Sequence, residues 1–342
     1  MRHRFVLAAI AAVMGAFGLA GPAHAGATLN AIKQKGFIQC GVNTALAGFS
    51  IPDSQGNWTG LDVDICRAIA VALFNDANAV KFTPLNAQQR FTALTSGEVD
   101  VLSRNTTWTL VRDASLGMMF TGVTYYDGQG FMVPKSLKIK SAKELKGATV
   151  CVQTGTTTEL NLADFSRANK LNIKPVVFEQ LEESKVAFFG GRCKAYTTDA
   201  SGLASIRAKD APKPDDYVIL PELISKEPLG PAVRRGDEEW FTIVKWVVYA
   251  LLEAEDMGIT SQNVDQMKGS QDPNVQRVLG VTGDMGQKLG VDNAWVYHMV
   301  KAVGNYGEIF ERNVGQKTPL RLARGLNASW KDGGLMYGMP IR

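Results

Sequence analysis

Residues 97–112, GEVDVLSRNTTWTLVR, place Asn105, Thr106, Thr107 and Arg112 directly after a short apolar run, Val99-Asp100-Val101-Leu102. All four can donate hydrogen bonds. Arg112 presents a planar fork that grips a carboxylate through two parallel bonds, while hydroxyls and backbone N–H groups supply further contacts. A second polar set follows another apolar run: Thr154-Gly155-Thr156-Thr157-Thr158 comes after Ala148 to Gln153, just where a helix should begin at Glu159. A glycine and threonines at a strand-to-helix turn expose N–H groups and hydroxyls to an anion. The lysine and spacing of a phosphate loop are missing. A third run, Ala195-Tyr196-Thr197-Thr198-Asp199, ends in an acid placed to receive an ammonium group or to cap the helix that follows.

These sets need strands that end side by side. Gly36 to Val42 reads as a first strand ending in Asn43-Thr44, and Val80 to Leu85 as a second. Between them a helix carries Leu61, Ile65, Ala68, Ile69, Ala72 and Leu73 on one face, with Asp62 or Asp64 as its cap. Gln88 to Ser96 reads as a helix closed by Gly97. Strands alternating with helices give α/β architecture with parallel-rich sheets, whose ligands bind beyond the carboxyl ends of the strands. Two extended passages interrupt the alternation, residues 123–134 and the proline-rich 221–231, and read as crossovers between domains. The segments 26–130 and 230–342 then form a first lobe and 131–229 a second. Trp240 to Glu255 is a core helix, too charged to span a membrane, and a further helix passes through Val296, Met299, Val300 and Val303.

Met1-Arg2-His3-Arg4, an apolar run from Phe5 to Ala20, and Ala23-His24-Ala25 have the pattern of a secretory signal peptide cleaved after Ala25. No cysteine follows the cleavage site to carry a lipid anchor. Losing Arg2 and Arg4 changes the charge count from 37 minus 33 to 35 minus 33, so the net charge goes from +4 to +2. So small an excess, with no basic cluster, points away from nucleic acid and membrane surfaces. Cys40, Cys66, Cys151 and Cys193 allow three pairings in an exported chain. Pairing within each half, Cys40 with Cys66 and Cys151 with Cys193, is the expected one. None has metal-knuckle or CxxC spacing, so no metal site is expected.

GLDVDICRAIA at 60–70, GEVDVLSRNTTWTLVRD, YYDGQGFMVP, VCVQTGTTTELNL and YTTDASGL, in that order, resemble the periplasmic solute-binding proteins of polar amino-acid ABC transporters. The general L-amino-acid receptors, including those for glutamate, glutamine, aspartate and asparagine, are the nearest in pattern. The resemblance covers the whole mature chain. It implies a bilobed type II fold with two crossover strands, a monomer without cofactor, and an inner-membrane ABC permease as partner. Carried over by position, the α-carboxylate arginine is Arg112, helped by Asn105, Thr107 and a threonine of the Thr156-Thr157 pair, and the α-ammonium acid is Asp199. Asn43 takes the position at the end of the first strand, with Phe49 nearby, and Arg90 matches a side-chain-gripping arginine of an acidic-ligand relative. One cation and one amide imply broad binding of acidic and amide side chains, with cationic amino acids disfavoured. The alternative is a dehydratase-like enzyme on the same scaffold. It would need an acid or base, yet of three histidines only His298 lies outside the leader, and no HExxH, GxSxG or GxGxxG is present.

Overall fold

The computed structural model describes residues 26–342; the leader, residues 1–25, lies outside the described residues. Two five-stranded sheets organise the chain, each flanked by helices. The first has the order Val80–Leu85, Ile38–Asn43, Val101–Leu102, Ala232–Arg234, Met118–Phe120. The second has the order Lys174–Phe178, Thr149–Gln153, Ala195–Asp199, Gln129–Pro134, Tyr217–Ile219. In both, the first three strands are parallel and the fourth runs against its neighbours. The reversed strand in each sheet is the one the chain enters after crossing from the other. Tyr125–Asp127 and Glu227–Leu229 make the crossings side by side, as an antiparallel pair.

The expected elements form, with two differences. Residues 123–134 read as one crossover, but only Tyr125–Asp127 crosses; Gln129–Pro134 is an interior strand, buried up to Pro134. A glycine-rich apolar run is extended in either role, so local pattern does not separate them. The sequence offers Asp62 or Asp64 as the cap of the helix Leu61–Phe74, whose N-cap is instead Gly60 with φ 135°. A Cβ there would lie 2.1 Å from the Phe49 carbonyl oxygen, so only glycine lets the two segments approach. Both aspartates turn inward to other partners: Asp64 Oδ2 accepts from Arg312 Nη2 at 2.7 Å and Asn313 Nδ2 at 2.7 Å.

The first lobe's core is built on Glu238–Asp256, a 19-residue helix whose N-cap Asp237 accepts from Trp240 N. Trp240 is fully buried and donates through Nε1 to the Asp100 carbonyl at 2.9 Å, joining this helix to the strand before the polar loop. No described helix is long and apolar enough to cross a membrane. The C-terminal helices Trp295–Val303 and Tyr306–Asn313 pack on Leu61–Phe74 and Glu238–Asp256. Further on, Asn327 accepts from the Tyr126 N–H at 2.6 Å and donates to its carbonyl at 3.0 Å, and Tyr306 donates to the Thr124 carbonyl. The C-terminal segment thus holds one crossover strand by its backbone.

Both disulfides form as expected. Cys40–Cys66 ties a central strand to the helix Leu61–Phe74, and Cys151–Cys193 ties Thr149–Gln153 to the residues before Ala195–Asp199, with Cα separations of 6.4 and 5.6 Å.

Candidate functional site

The carboxyl ends of the two sheets face each other across a cleft lined from the first lobe by Asn43, Leu46, Arg90, Arg104, Asn105 and Thr107. Opposite stand Gln153, the threonines Thr156 to Thr158, and Asp199. The lobes touch: Asn86 Nδ2 donates to Glu179 Oε1 at 3.1 Å, and Arg90 Nη2 to the Gly155 carbonyl at 3.4 Å.

The loop after Val101–Leu102 is held from below by Asp62, whose Oδ2 accepts the Asn105 N–H at 2.8 Å while Oδ1 accepts the Ser103 hydroxyl at 3.4 Å. Asn105 sits at φ 32°, a left-handed value that asparagine tolerates better than most residues. Its side-chain oxygen takes the Asn43 amide at 3.0 Å, so the two amides enter the cleft as a pair. Burial pushes the Asp62 pKa up to about 6 against the N–H bond and Arg104, both of which favour its charged form.

Three arginines are buried on this side. Arg112 Nη1 donates to the Thr107 carbonyl at 2.9 Å, and its guanidinium stands over the Phe91 ring, 5.1 Å from the centroid. Arg90 lies over the same ring at 4.7 Å, and Arg104 Nε donates to the Leu85 carbonyl at 3.0 Å. Arg90 Nε and Arg104 Nη2 are buried donors without a hydrogen-bond partner among the described residues. Such donors are costly unless an acceptor meets them, so this wall is suited to an anion or a carbonyl oxygen. Burial, then mutual repulsion with Arg104 and Arg112, lowers the Arg90 pKa well below its usual value, and burial brings Arg104 to about 10.

On the second lobe, Thr156 caps the helix Thr157–Ala168, accepting from Glu159 N and donating to the Gln153 carbonyl at 2.6 Å. Its hydroxyl is thereby committed, and the helix terminus itself faces the cleft as a weak positive pole. Asp199 precedes the helix Ala200–Lys209 but its side chain makes no cap bond. The carboxylate is left for the cleft. Burial, then Asp127 and Glu227, raise its pKa well above the ordinary carboxylate value against the pull of Arg90 and Arg112. An ammonium beside it would compensate that loss of solvation.

A family model, the bacterial extracellular solute-binding proteins, family 3, matches residues 38–262. The chain belongs to this family. Among members, the general L-amino acid-binding periplasmic protein AapJ of Rhizobium johnstonii is 58% identical over 344 residues, covering 100% of both chains. The glutamate/glutamine/aspartate/asparagine-binding protein BztA of Rhodobacter capsulatus is 54% identical over 95% of this chain and 96% of its own. A solved structure described as an ABC transporter periplasmic binding protein from Brucella ovis with glutathione bound superposes with a TM-score of 0.91. It is 58% identical and covers 92% of this chain and 99% of its own. The bilobed solute-binding fold is therefore common to the chain and its relatives.

Most residues singled out from the sequence meet at this cleft: Asn43, Arg90, Asn105, Thr107, Thr156, Thr157 and Asp199 all line it. Arg112 is not itself in the lining but is bound through Nη1 to the carbonyl of the lining residue Thr107. Phe49 does not reach the lining; it is fully buried, edge-on to Tyr125 at 5.4 Å, while Leu46 from the same loop forms the cleft wall. Glu227, which no motif of the sequence marks as a site residue, is buried and accepts from Thr107, Thr157, Ser225 and Asn161. An acid inside an apolar, proline-rich crossover was the available signal for it.

Proposed function

We propose that the chain is a periplasmic receptor that binds L-amino acids, favouring glutamate, glutamine, aspartate and asparagine, and delivers them to an inner-membrane ABC permease. The observation that carries this reading is the opposition of Asp199 on one lobe to the arginine-rich wall on the other. A zwitterion satisfies both at once, whereas a plain acid or amine leaves one buried charge unpaired. Its α-carboxylate goes to Arg112 and the loop and helix-terminal donors, and its α-ammonium to Asp199. Since Thr107 gives its proton to Glu227, its oxygen remains an acceptor and joins Asp199 at the ammonium. Arg90 and the Asn43–Asn105 amide pair meet the ligand's side chain, suiting carboxylates and amides and disfavouring cations.

Because the ligand touches both lobes, it favours the closed arrangement of a hinged pair. One chain supplies both walls, so a monomer suffices. Export with cleavage after Ala25 accounts for the leader, and the relatives' names support a periplasmic location. Calorimetric titration with glutamate and asparagine tests the proposal: one ligand per chain without turnover supports it, and absence of binding overturns it. The enzymatic alternative finds no histidine in the cleft, His298 lying on the helix Trp295–Val303 of the first lobe.

The Brucella relative supports a second reading, that γ-glutamyl peptides are also ligands. Such a peptide keeps a free α-carboxylate and α-ammonium at its glutamyl end and differs from glutamine only in what its side-chain amide carries. The same head-group contacts serve it.

A further inference from the structure

A second cavity of about 590 Å³ is lined by Ala47 and Gly48, which follow the cleft residue Leu46, and by Ala208 and Lys209, which follow the cleft residue Ile206. The two chambers lie along the same helix. Ala200–Lys209 starts at the Asp199 chamber, has Gly202 and Ile206 in its lining, and ends at the second chamber with Lys209. The remaining wall comes from Arg67 and from the segment 312–320, which lies past the part of the chain that the family model matches.

The second chamber is basic. Arg67, Lys209, Arg312 and Lys317 line it, with Asp64 as the acid among its lining residues. Asp64 is saturated by Arg312, Arg67 and Asn313. Arg67 and Arg312 share that one carboxylate, and Lys209 and Lys317 form no salt bridge among the described residues, so two of the three unneutralised charges rest on one lysine from each side of the cleft. A cavity of this size is in the range of small-molecule sites, and an open basic one suits a carboxylate.

We infer that this chamber is a subsite for the distal carboxylate of an elongated ligand, a γ-glutamyl peptide whose amino-acid head is held at Asp199. The ten-residue helix Ala200–Lys209 spans about 15 Å at 1.5 Å per residue. Two residues extended beyond a glutamyl side chain add about 7 Å, which brings the terminal carboxylate within reach of the lysine side chains. A free amino acid ends before the second chamber. Lys209 and Lys317 are therefore specificity-determining residues for peptide length, and the C-terminal segment supplies half of the subsite.

This inference rests on the amino-acid reading of the first chamber, and the test separates the two. L-glutamate, reduced glutathione and glutathione esterified at its glycine carboxylate are titrated calorimetrically into the wild-type protein and into the double variant Lys209→Ala/Lys317→Ala. The expected result is glutathione bound about tenfold more weakly by the variant, an equal loss for the ester on the wild type, and glutamate affinity within about twofold throughout. Equal affinity of wild type and variant for glutathione overturns the inference, as does an equal loss for glutamate, or failure of glutathione to bind a protein that binds glutamate. A wild type that binds neither glutamate nor glutathione overturns the amino-acid reading itself.

Discussion

The Thr107 hydroxyl donates to Glu227 Oε2 at 2.6 Å across 120 positions of sequence, and Thr157 from the other lobe donates to the same oxygen at 2.8 Å. A residue of the crossover pair thus fixes the proton of a cleft hydroxyl on each wall. Glu227→Gln replaces part of that acceptor set with a donor, forcing at least one hydroxyl to turn. We expect amino-acid affinity to fall by about 1–3 kcal/mol with a folded protein, read by calorimetry beside circular dichroism. Unchanged affinity would show that the hydroxyl direction is immaterial.

Asp62 acts on the ligand only through Asn105 and Ser103. Asp62→Asn keeps the volume but meets the Asn105 N–H with one neutral oxygen at best, or with an amide donor. Affinity should drop about tenfold, as expected for loss of a charge-assisted bond to a positioning residue, and Asp62→Ala should lower the melting temperature as well. If Asp62→Asn binds normally, the loop is held by its own backbone.

The acid side of the pH profile follows from Asp199. Burial, with Asp127 and Glu227 nearby, raises its pKa in the free cleft, and a bound ammonium lowers it. Binding therefore releases a proton: affinity is full above the raised pKa and falls as pH descends through it, by up to tenfold per unit. Asparagine is the ligand to use, because its side chain does not titrate. A dissociation constant that does not rise as the pH is lowered while the protein stays folded would place the ammonium elsewhere.

The Cys151–Cys193 bond closes a 42-residue separation in the second lobe. Cys151→Ser/Cys193→Ser should lower stability by about 2–4 kcal/mol in denaturant titration, with binding retained at low temperature. Equal midpoints for oxidised wild type and variant would refute a stabilising role.

The alternation of strands and helices was readable because it is a periodic signal, and so were the polar residues that end the strands, because each follows an apolar run. Three features were not readable. Asp62 carries the signature of a helix cap, and only the tertiary approach of the loop 103–105 turns it inward. Leu46 and Phe49 lie in one loop and differ in depth, which sequence spacing does not encode. Glu227 has its four donors at positions 107, 157, 161 and 225, so no local window contains its role.

The central claim, that opposed charges across this cleft select zwitterions with acidic or amide side chains, is tested most directly by calorimetric titration of the twenty amino acids, one at a time. The account predicts one site per chain, with glutamate, glutamine, aspartate and asparagine bound most tightly and lysine and arginine weakest, since Arg90 and Arg104 line the pocket. Preference for lysine or arginine would contradict it.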